Sequence, residues 1–300
     1  MKKYLKMPWA VRLATLFAMI PALFLGGCGQ QTKCEKSIDT AMGTVISQTV
    51  YVTGNSPTAT NGKTDEKVTD VVLQKLNDLE QQELSWRLDS AEVAKINATA
   101  GKGPIQVSAA MAGWLKRCLQ ISEQTGGAFD VSIGKLSRLW DIDTWAAADD
   151  PQDYELPERE EIEQACALAG WKQMILEQRT NSTVVSIPAG MQIDLGAVGK
   201  GVALDEIRKT LEEYPEVSGA VISVGGSILT YGNKPEGGTW QIAVTDPLEP
   251  SQSAGVLAGT VYPLLEIMSR TWKWMVSDII IYWIPGPAPR RAAMWRELPS

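Results

Sequence analysis

The sequence predicts an α+β fold in which mixed or antiparallel sheets carry flanking helices. Apolar residues recur at helical spacing in several stretches, and β-branched residues alternate with polar ones in others. Several extended stretches follow one another across short turns, which favours antiparallel pairing over a doubly wound parallel sheet. With 300 residues, 44% hydrophobic and 21% charged, the chain has the composition of one large globular domain or two smaller ones.

Residues 1–27 predict a bacterial lipoprotein signal peptide. A basic start precedes an apolar stretch, and "LGGC" places small residues directly before Cys28. A transmembrane anchor is the alternative, but the apolar stretch is short for a bilayer span. We therefore expect lipidation at Cys28, a polar tether over residues 28–36, and a protein anchored to a bacterial cell membrane on its extracytoplasmic side.

The region after the tether predicts one strand and then three helices. The strand is "SIDTAMGTVISQTVYVTG", in which β-branched residues alternate with others. The first helix has Thr64 or Asp65 as its N-cap candidate. Its apolar face consists of Val68, Val72, Leu76 and Leu79. "DSAEVAKINA" predicts a short helix, and "SAAMAGWLKRCLQISEQTGG" predicts a longer one, capped by Ser108 and stopped by Gly126 and Gly127.

The second half predicts two helices among further strands. "EREEIEQACALAG" reads as a helix stopped at Gly170, and "GKGVALDEIRKTLEEY" as an amphipathic helix. "MILEQRTNSTVVSIPAGMQIDLG" predicts a hairpin that turns at Asn181 and Ser182, while "GAVISVGGSILTYG" and "WQIAVTDP" predict strands. This pattern continues to about residue 261 and then ends.

The stretch "DLGAVGKGVALDEI" is the most specific candidate for chemistry. It predicts a strand that ends at Asp194, a glycine-bearing turn, and a helix that begins near Gly199. Free amides at a helix start attract phosphate, and Lys200 adds a positive charge there. An ordinary turn is the alternative, and from spacing alone it is the more common outcome.

Other stretches contain residues that could either contact a ligand or have a purely structural role, and the residues alone do not decide between the two. "TGGAFDVSIG" places Phe129 and Asp130 at the predicted start of a strand, where they suit a ligand's ring and donor group, or else a core position and a turn cap. Gly225 and Gly226 suit a plain bulge or a close approach to a ligand. Met42 suits an apolar wall or the core.

Six stretches in this order resemble the ApbE-type FAD:protein FMN transferases. They are "AMGTVIS", "LSWRLDSAEVAKIN", "TGGAFDVSIG", "IDLGAVGKGVALD", "ISVGGSILTYG" and "WQIAVTDP", and the resemblance runs from about Ile38 to Thr260. It implies an ApbE-like fold over residues 37–261, incomplete at its C-terminus. It also implies an enzyme that binds FAD with Mg2+, transfers FMN to a threonine hydroxyl of a target flavoprotein subunit, and releases AMP.

The resemblance also implies site residues. FAD contacts are expected at Met42, Ala128, Phe129, Asp130, Asp194 and Lys200. Arg87 stands where the family often has another FAD-contacting residue, frequently an aromatic one. Ala197 is expected to give a main-chain oxygen to the metal, which agrees with the preference of Mg2+ for phosphate oxygens and few protein ligands.

Residues 262–300 depart from the family's continuation. There the family has T-S-G-D-Y-E, then E-V-D-G-x-R-Y-H-H-I-L-D-P-x-T-G, and then an A-D-A-x-S-T-A segment with metal-binding side chains. Back-translated and read two bases later, this tail accommodates the first two motifs. Four codon pairs force Glu, Asp, Gly and Asp in register: Trp272–Lys273, Trp274–Met275, Met275–Val276 and Trp283–Ile284.

We predict that a frameshift near residues 260–262 has replaced the C-terminal part of the enzyme. The shift explains why four of the chain's 11 tryptophans lie in residues 262–300 and why the family's histidines are absent there. The alternative is a genuine Trp- and Ile-rich tail that binds an interface or a partner. Without the histidine-bearing strand and the metal-binding side chains, we expect the chain as given to be aggregation-prone and to have little or no transferase activity.

Composition excludes two other classes of function. A net charge of −7 leaves no basic patch for nucleic acid. Four cysteines without metal spacing, and no histidine, argue against a zinc site. The alternatives to the transferase are a non-catalytic flavin-binding lipoprotein associated with a membrane redox complex, and a lipoprotein without a ligand.

Overall fold

The computed structural model describes residues 32–54, 67–141, 156–246, 249 and 251–258. The predicted signal peptide, Cys28 and residues 262–300 lie outside these ranges. Within the described ranges, no helix combines the length and the apolar character that crossing a membrane requires.

The described strands and helices confirm the α+β class. The strands are β1 (Thr32–Ala41), β2 (Thr44–Thr53), β3 (Ile105–Val107), β4 (Ile175–Gln178), β5 (Thr183–Ser186), β6 (Val217–Val224), β7 (Ser227–Gly232), β8 (Gln241–Thr245) and β9 (Ser253–Ala258). The helices are α1 (Val68–Asp78), α2 (Glu92–Ala98), α3 (Ala109–Gln124), α4 (Gly134–Trp140), α5 (Arg159–Ala167) and α6 (Gly196–Glu212). A π-helix (Leu79–Leu84) follows α1, and a 3-10 turn (Trp171–Gln173) follows α5.

The described strands form sheets in which every pairing is antiparallel. The largest has the order β1-β2-β6-β7, a smaller one has the order β3-β5-β4, and β8 pairs with β9. The predicted hairpin with a turn at Asn181 and Ser182 is confirmed as β4 and β5. β1 begins at Thr32, inside the stretch 28–36 predicted as a tether, so the sheet extends further toward the N-terminus than expected.

The single strand predicted after the tether is wrong, because the structure folds that stretch into a hairpin. β1 and β2 are joined at Met42 and Gly43, and Ala41 pairs with Thr44 across the turn. Met42 has φ +54° and Gly43 has φ +67°, as a tight hairpin turn requires. Methionine is not a turn-forming residue, so Gly43 was the one local sign of a break in the strand.

A second tight hairpin joins β6 to β7 at Gly225 and Gly226. Val224 pairs with Ser227, and the two glycines have φ +52° and +84°. The plain bulge preferred from sequence is therefore wrong, since these glycines form a turn between two strands.

The apolar face predicted for the first helix is confirmed. Val68, Val72 and Leu76 of α1 are buried, as is Leu79, where the π-helix begins. Lys67 is the N-cap residue, while the predicted candidates Thr64 and Asp65 lie outside the described residues. Ser108 caps α3 as predicted, because its hydroxyl accepts a hydrogen bond from the Met111 N–H at 3.0 Å.

Helix α6 lies at the centre of the fold. It contacts α1 on one side and β6 and β7 on the other. Its buried residues include Gly199, Val202, Ala203, Leu204, Ile207 and Leu211. Because α6 is held on both sides, its first turn has a fixed position next to the β1–β2 and β6–β7 turns.

Two predicted strands near the candidate site are wrong. Residues 128–132 form turns, and the stretch before Asp194 has only a single bridge between Gln192 and Ile133. Helix α6 begins at Gly196, three residues before the predicted start near Gly199. The cause is long-range bonding of these segments to each other, which includes the Asp194 N–H donating to the Val131 carbonyl at 2.8 Å.

Candidate functional site

Asp194 fixes the start of α6. Its Oδ1 accepts a hydrogen bond from the Gly196 N–H at 2.7 Å, so one free amide of the first turn is satisfied by a carboxylate. Gly196 and Ala197 are exposed, and Asp194 is half-buried. The Val198 and Gly199 N–H groups donate to the Leu195 carbonyl, so this helix start offers a negatively charged ligand the exposed Ala197 main chain and the helix dipole.

Lys200 lies one turn further along α6 and reaches the β6–β7 turn. Its Nζ donates a hydrogen bond to the Gly225 carbonyl at 2.8 Å. A Cβ on Gly225 would collide with Thr44 Oγ1 and would lie 3.0 Å from Lys200 Nζ. Glycine at this position thus permits the close approach of two hairpin turns and one lysine.

Met42, in the β1–β2 turn, also lies close to the first turns of α6. Its Cε lies 3.9 Å from the position that a Cβ on Gly199 would take. The structure therefore brings together Met42, Asp194, Ala197 and Lys200, which come from two distant parts of the sequence, at the first turns of α6.

Asp130 lies next to this place, and its carboxylate organises the neighbouring turns. Oδ1 accepts hydrogen bonds from the N–H and the hydroxyl of Ser132 at 2.8 and 2.6 Å, and Oδ2 accepts one from the Trp171 N–H at 3.1 Å. This is the turn-capping role that the sequence left open for Asp130. Ala128 is exposed and Phe129 is half-buried at the edge of the core.

A groove of about 500 Å³ opens between α3 and the start of α6. Its α6 wall includes Ala197 and Lys200, and its α3 wall includes Trp114, Arg117 and Cys118. Burial raises the pKa of the Cys118 thiol to about 11, so this group is a neutral thiol at physiological pH. Besides the cations Arg117 and Lys200, the Asp205 carboxylate and Ser227 also line the groove.

Comparisons with known proteins assign the chain to a family. A model of the ApbE family matches residues 42–265 of the chain. The chain belongs to the ApbE family.

Curated relatives of this ApbE-family chain carry the name FAD:protein FMN transferase. The Haemophilus influenzae protein is 26% identical over 244 residues, which cover 81% of this chain and 67% of the relative. The Treponema pallidum protein is 31% identical over 183 residues, covering 56% of this chain and 48% of the relative. The Escherichia coli protein is 26% identical over 241 residues, covering 79% and 66%. The matches thus span between about half and two thirds of these relatives.

Solved structures of ApbE proteins share the fold. The ApbE protein of Thermotoga maritima is similar with a TM-score of 0.61 and 24% identity, covering 77% of this chain and 68% of that one. The Pseudomonas stutzeri flavinyl transferase ApbE is similar with a TM-score of 0.62 and 21% identity, covering 77% and 66%. Both similarities support the α+β, ApbE-like architecture.

The sequence interpretation of this ApbE-family chain missed an aromatic ring beside Arg87. The guanidinium carbons of Arg87 and Arg138 lie 4.1 and 4.5 Å from the centre of the Trp86 ring. Arg138 Nη2 also donates to the Trp86 carbonyl at 3.4 Å. Burial lowers the pKa of Arg138, and the positive charge of Arg87 acts in the same direction, while the Asp194 carboxylate acts in the opposite one. Trp86 directly precedes Arg87 in "LSWRLDS", and that adjacency was the available signal.

The described part of this ApbE-family chain supplies only part of a metal coordination sphere. No group of three or more acidic, cysteine or histidine residues in that part is arranged to hold a metal ion. The oxygens available at the start of α6 are the Asp194 carboxylate and the main chain of Ala197. Such a sparse donor set suits Mg2+, which takes many of its ligands from phosphate and water.

Proposed function

We propose that the gene of this chain, in its corrected frame, encodes a FAD:protein FMN transferase in which the start of α6 binds the diphosphate of FAD. One observation carries the proposal: Met42, from the β1–β2 turn, lies against the helix start that carries Asp194, Ala197 and Lys200, and all four residues are expected to bind one ligand. The names of the curated relatives support the same activity.

The proposed reaction exchanges the phosphoanhydride bond of FAD for a phosphoester bond to threonine and releases one proton. The hydroxyl oxygen of an acceptor threonine bonds to the FMN phosphorus, the diphosphate bond of FAD breaks, AMP leaves, and the threonine hydroxyl loses its proton. The Lys200 ammonium and the exposed Ala197 main chain at the start of α6 bind the phosphate charge. Met42 and Phe129 provide apolar contacts for the flavin, and Asp130 holds the turn that carries Phe129. Arg87, beside Trp86, adds a further positive charge next to the bound FAD.

Mg2+ would be held by diphosphate oxygens together with the Asp194 carboxylate and the Ala197 main chain, where it would neutralise charge on the phosphates. The role of the protein is to orient that diphosphate. Asp194 does so by fixing the first turn of α6, because its carboxylate bonds the Gly196 N–H.

The proposed partner is a flavoprotein subunit that carries the acceptor threonine. The "LGGC" signal supports lipidation at Cys28 and a location on the extracytoplasmic side of a bacterial cell membrane. A lipid anchor would keep the enzyme next to membrane flavoproteins. No nucleic acid is expected as a partner, since the net charge is −7.

The second candidate is a non-catalytic flavin-binding lipoprotein associated with a membrane redox complex. The observation that favours it is the lack of the family's histidine-bearing and A-D-A-x-S-T-A motifs in residues 262–300. A chain without them retains the α6 start and its neighbours, so flavin binding survives where transfer does not.

Flavin binding and flavin transfer are separable by experiment. The chain and a frame-corrected version of its gene product are titrated with FAD, with flavin fluorescence as the readout. Each is then incubated with membranes of the source organism, and covalent flavin is detected by fluorescence after denaturing electrophoresis. We expect the corrected product to bind FAD and to label a protein. Binding without labelling by the corrected product would favour the second candidate, and the absence of binding would exclude both.

A further inference from the structure

Met42 has an unusual backbone conformation at the candidate site. Its φ of +54° is in the left-handed region, and Asp141 is the only other non-glycine residue with positive φ in the described part of the chain. The first position of such a hairpin turn favours Asn, Asp or Gly. Met42 therefore needs support from elsewhere in the fold to stay in this conformation.

Glu80 supplies that support. Its Oε2 accepts a hydrogen bond from the Met42 N–H at 2.8 Å, across 38 residues of sequence. Ala41 and Thr44 form the closing pair of the β1–β2 ladder, so the Met42 N–H lies beyond that ladder. The carboxylate thus satisfies a main-chain donor of the turn and favours the conformation that presents this donor.

The position of Glu80 depends on the π-helix Leu79–Leu84. Leu79 and Leu84 are buried at the two ends of this segment, while Gln81 and Gln82 are exposed. A π-helix changes the direction of the side chains relative to a continued α-helix and occurs often at functional sites. Glu80 lies in the first turn of this segment, and its carboxylate reaches the β1–β2 turn.

The conformation of the β1–β2 turn determines the position of the Met42 side chain. The Met42 Cε lies close to Gly199, in the first turns of α6, with Lys200 as the next residue. A change of φ at Met42 would move this methyl group away from the helix start. The chain of contacts therefore runs from the π-helix through Glu80 and the turn to the surface where FAD is proposed to bind.

We propose that Glu80 is a positioning residue, which holds Met42 in its left-handed conformation so that its side chain forms one wall of the FAD site. This inference rests on the proposed function for the identity of the ligand. The hydrogen bond and the turn conformation are independent of that identity.

The test compares Glu80→Ala and Glu80→Gln with Gln82→Ala, an exposed change in the same π-helix. It uses the full chain in detergent and the frame-corrected product, since the former is expected to aggregate. Glu80→Ala should raise the Kd for FAD by about tenfold. Glu80→Gln should recover most of that loss, because its amide oxygen also accepts a hydrogen bond, and Gln82→Ala should leave the Kd unchanged.

A second readout needs no flavin. Methionine methyl groups are labelled with carbon-13, and the Met42 signal is assigned with Met42→Leu. In Glu80→Ala this signal should shift or broaden, whereas Glu80→Gln and Gln82→Ala should leave it in place. An unchanged Met42 signal in Glu80→Ala would overturn the inference, even if the melting temperature fell. Failure of the unaltered protein to bind FAD would instead contradict the proposed function, and the methyl signal would still decide the role of Glu80.

Discussion

At the scale of single residues, the site depends on short contacts that leave little room for change. Lys200 Nζ lies 2.8 Å from the Gly225 carbonyl, and a side chain on Gly225 would collide with Thr44. Asp194 is bonded to the first amide of α6. These contacts hold a cation and a helix start side by side, which is the arrangement that a diphosphate requires.

Replacement of Lys200 tests this arrangement. Lys200→Ala removes the ammonium group, so the Kd for FAD should rise by about tenfold or more, since a charge-assisted bond to phosphate is lost. Titration with flavin fluorescence measures the effect. Lys209→Ala is the matched control, because Lys209 is an exposed lysine in the last turn of the same helix. Equal affinities in the two variants would show that Lys200 does not contact the ligand.

Cys118 gives a prediction on pH. Its pKa is raised by burial from 9.0 to about 11, so between these values the unfolded chain loses this proton before the folded chain does. The stabilisation is complete below pH 9.0, and it is lost as the pH rises toward about 11. Cys118→Ala should therefore show a smaller decline in the free energy of unfolding over this range. Denaturant unfolding of both proteins measures the difference, and parallel declines would refute the assignment.

At the scale of elements, patterns carried by neighbouring residues were predictable from sequence. The buried face of α1 and the Ser108 cap of α3 follow from local spacing and side-chain chemistry. The turn at Met42 did not follow, because its support comes from Glu80, 38 residues away. The strand predicted at Asp130 failed for a similar reason, since its carboxylate bonds Trp171, 41 residues away.

The packing of α1 against α6 has its own prediction. Leu76 is 0% exposed in the core, so Leu76→Ala should lower the free energy of unfolding by about 2 to 5 kcal/mol. Gln74→Ala, an exposed change on the same helix, should alter it by less than about 0.5 kcal/mol. Denaturant titration of both variants provides the comparison. Similar losses in the two would mean that α1 is not packed as described.

At the scale of the whole molecule, the match to the family model ends at residue 265. The separate alignments to the three curated relatives cover 67% or less of each relative's length. The predicted frameshift, near residues 260–262, lies a few residues before the end of that match. β1 and β7 are the outer strands of the largest described sheet. Their outer edges are where an additional strand could pair with this sheet.

The frameshift makes a prediction that DNA sequencing decides. Codons 260–300, read two bases later, should encode tyrosine and histidine at the positions of the family's Y-H-H motif, where this chain has the isoleucine run before Trp283. Fresh genomic DNA across codons 250–300 supplies the answer. Codons in the shifted frame that specify other residues would leave the tail as a genuine segment of this protein.

The central claim, transfer of FMN from FAD at the start of α6, is tested most directly by Mg2+-dependent release of AMP from FAD. The frame-corrected product is incubated with FAD, Mg2+ and membranes that carry acceptor proteins, and AMP is quantified by chromatography. The proposed function predicts AMP release in proportion to covalent flavin, with strong loss in Lys200→Ala and little or none from the chain as given. A corrected, folded product that binds FAD yet releases no AMP with Mg2+ would contradict it.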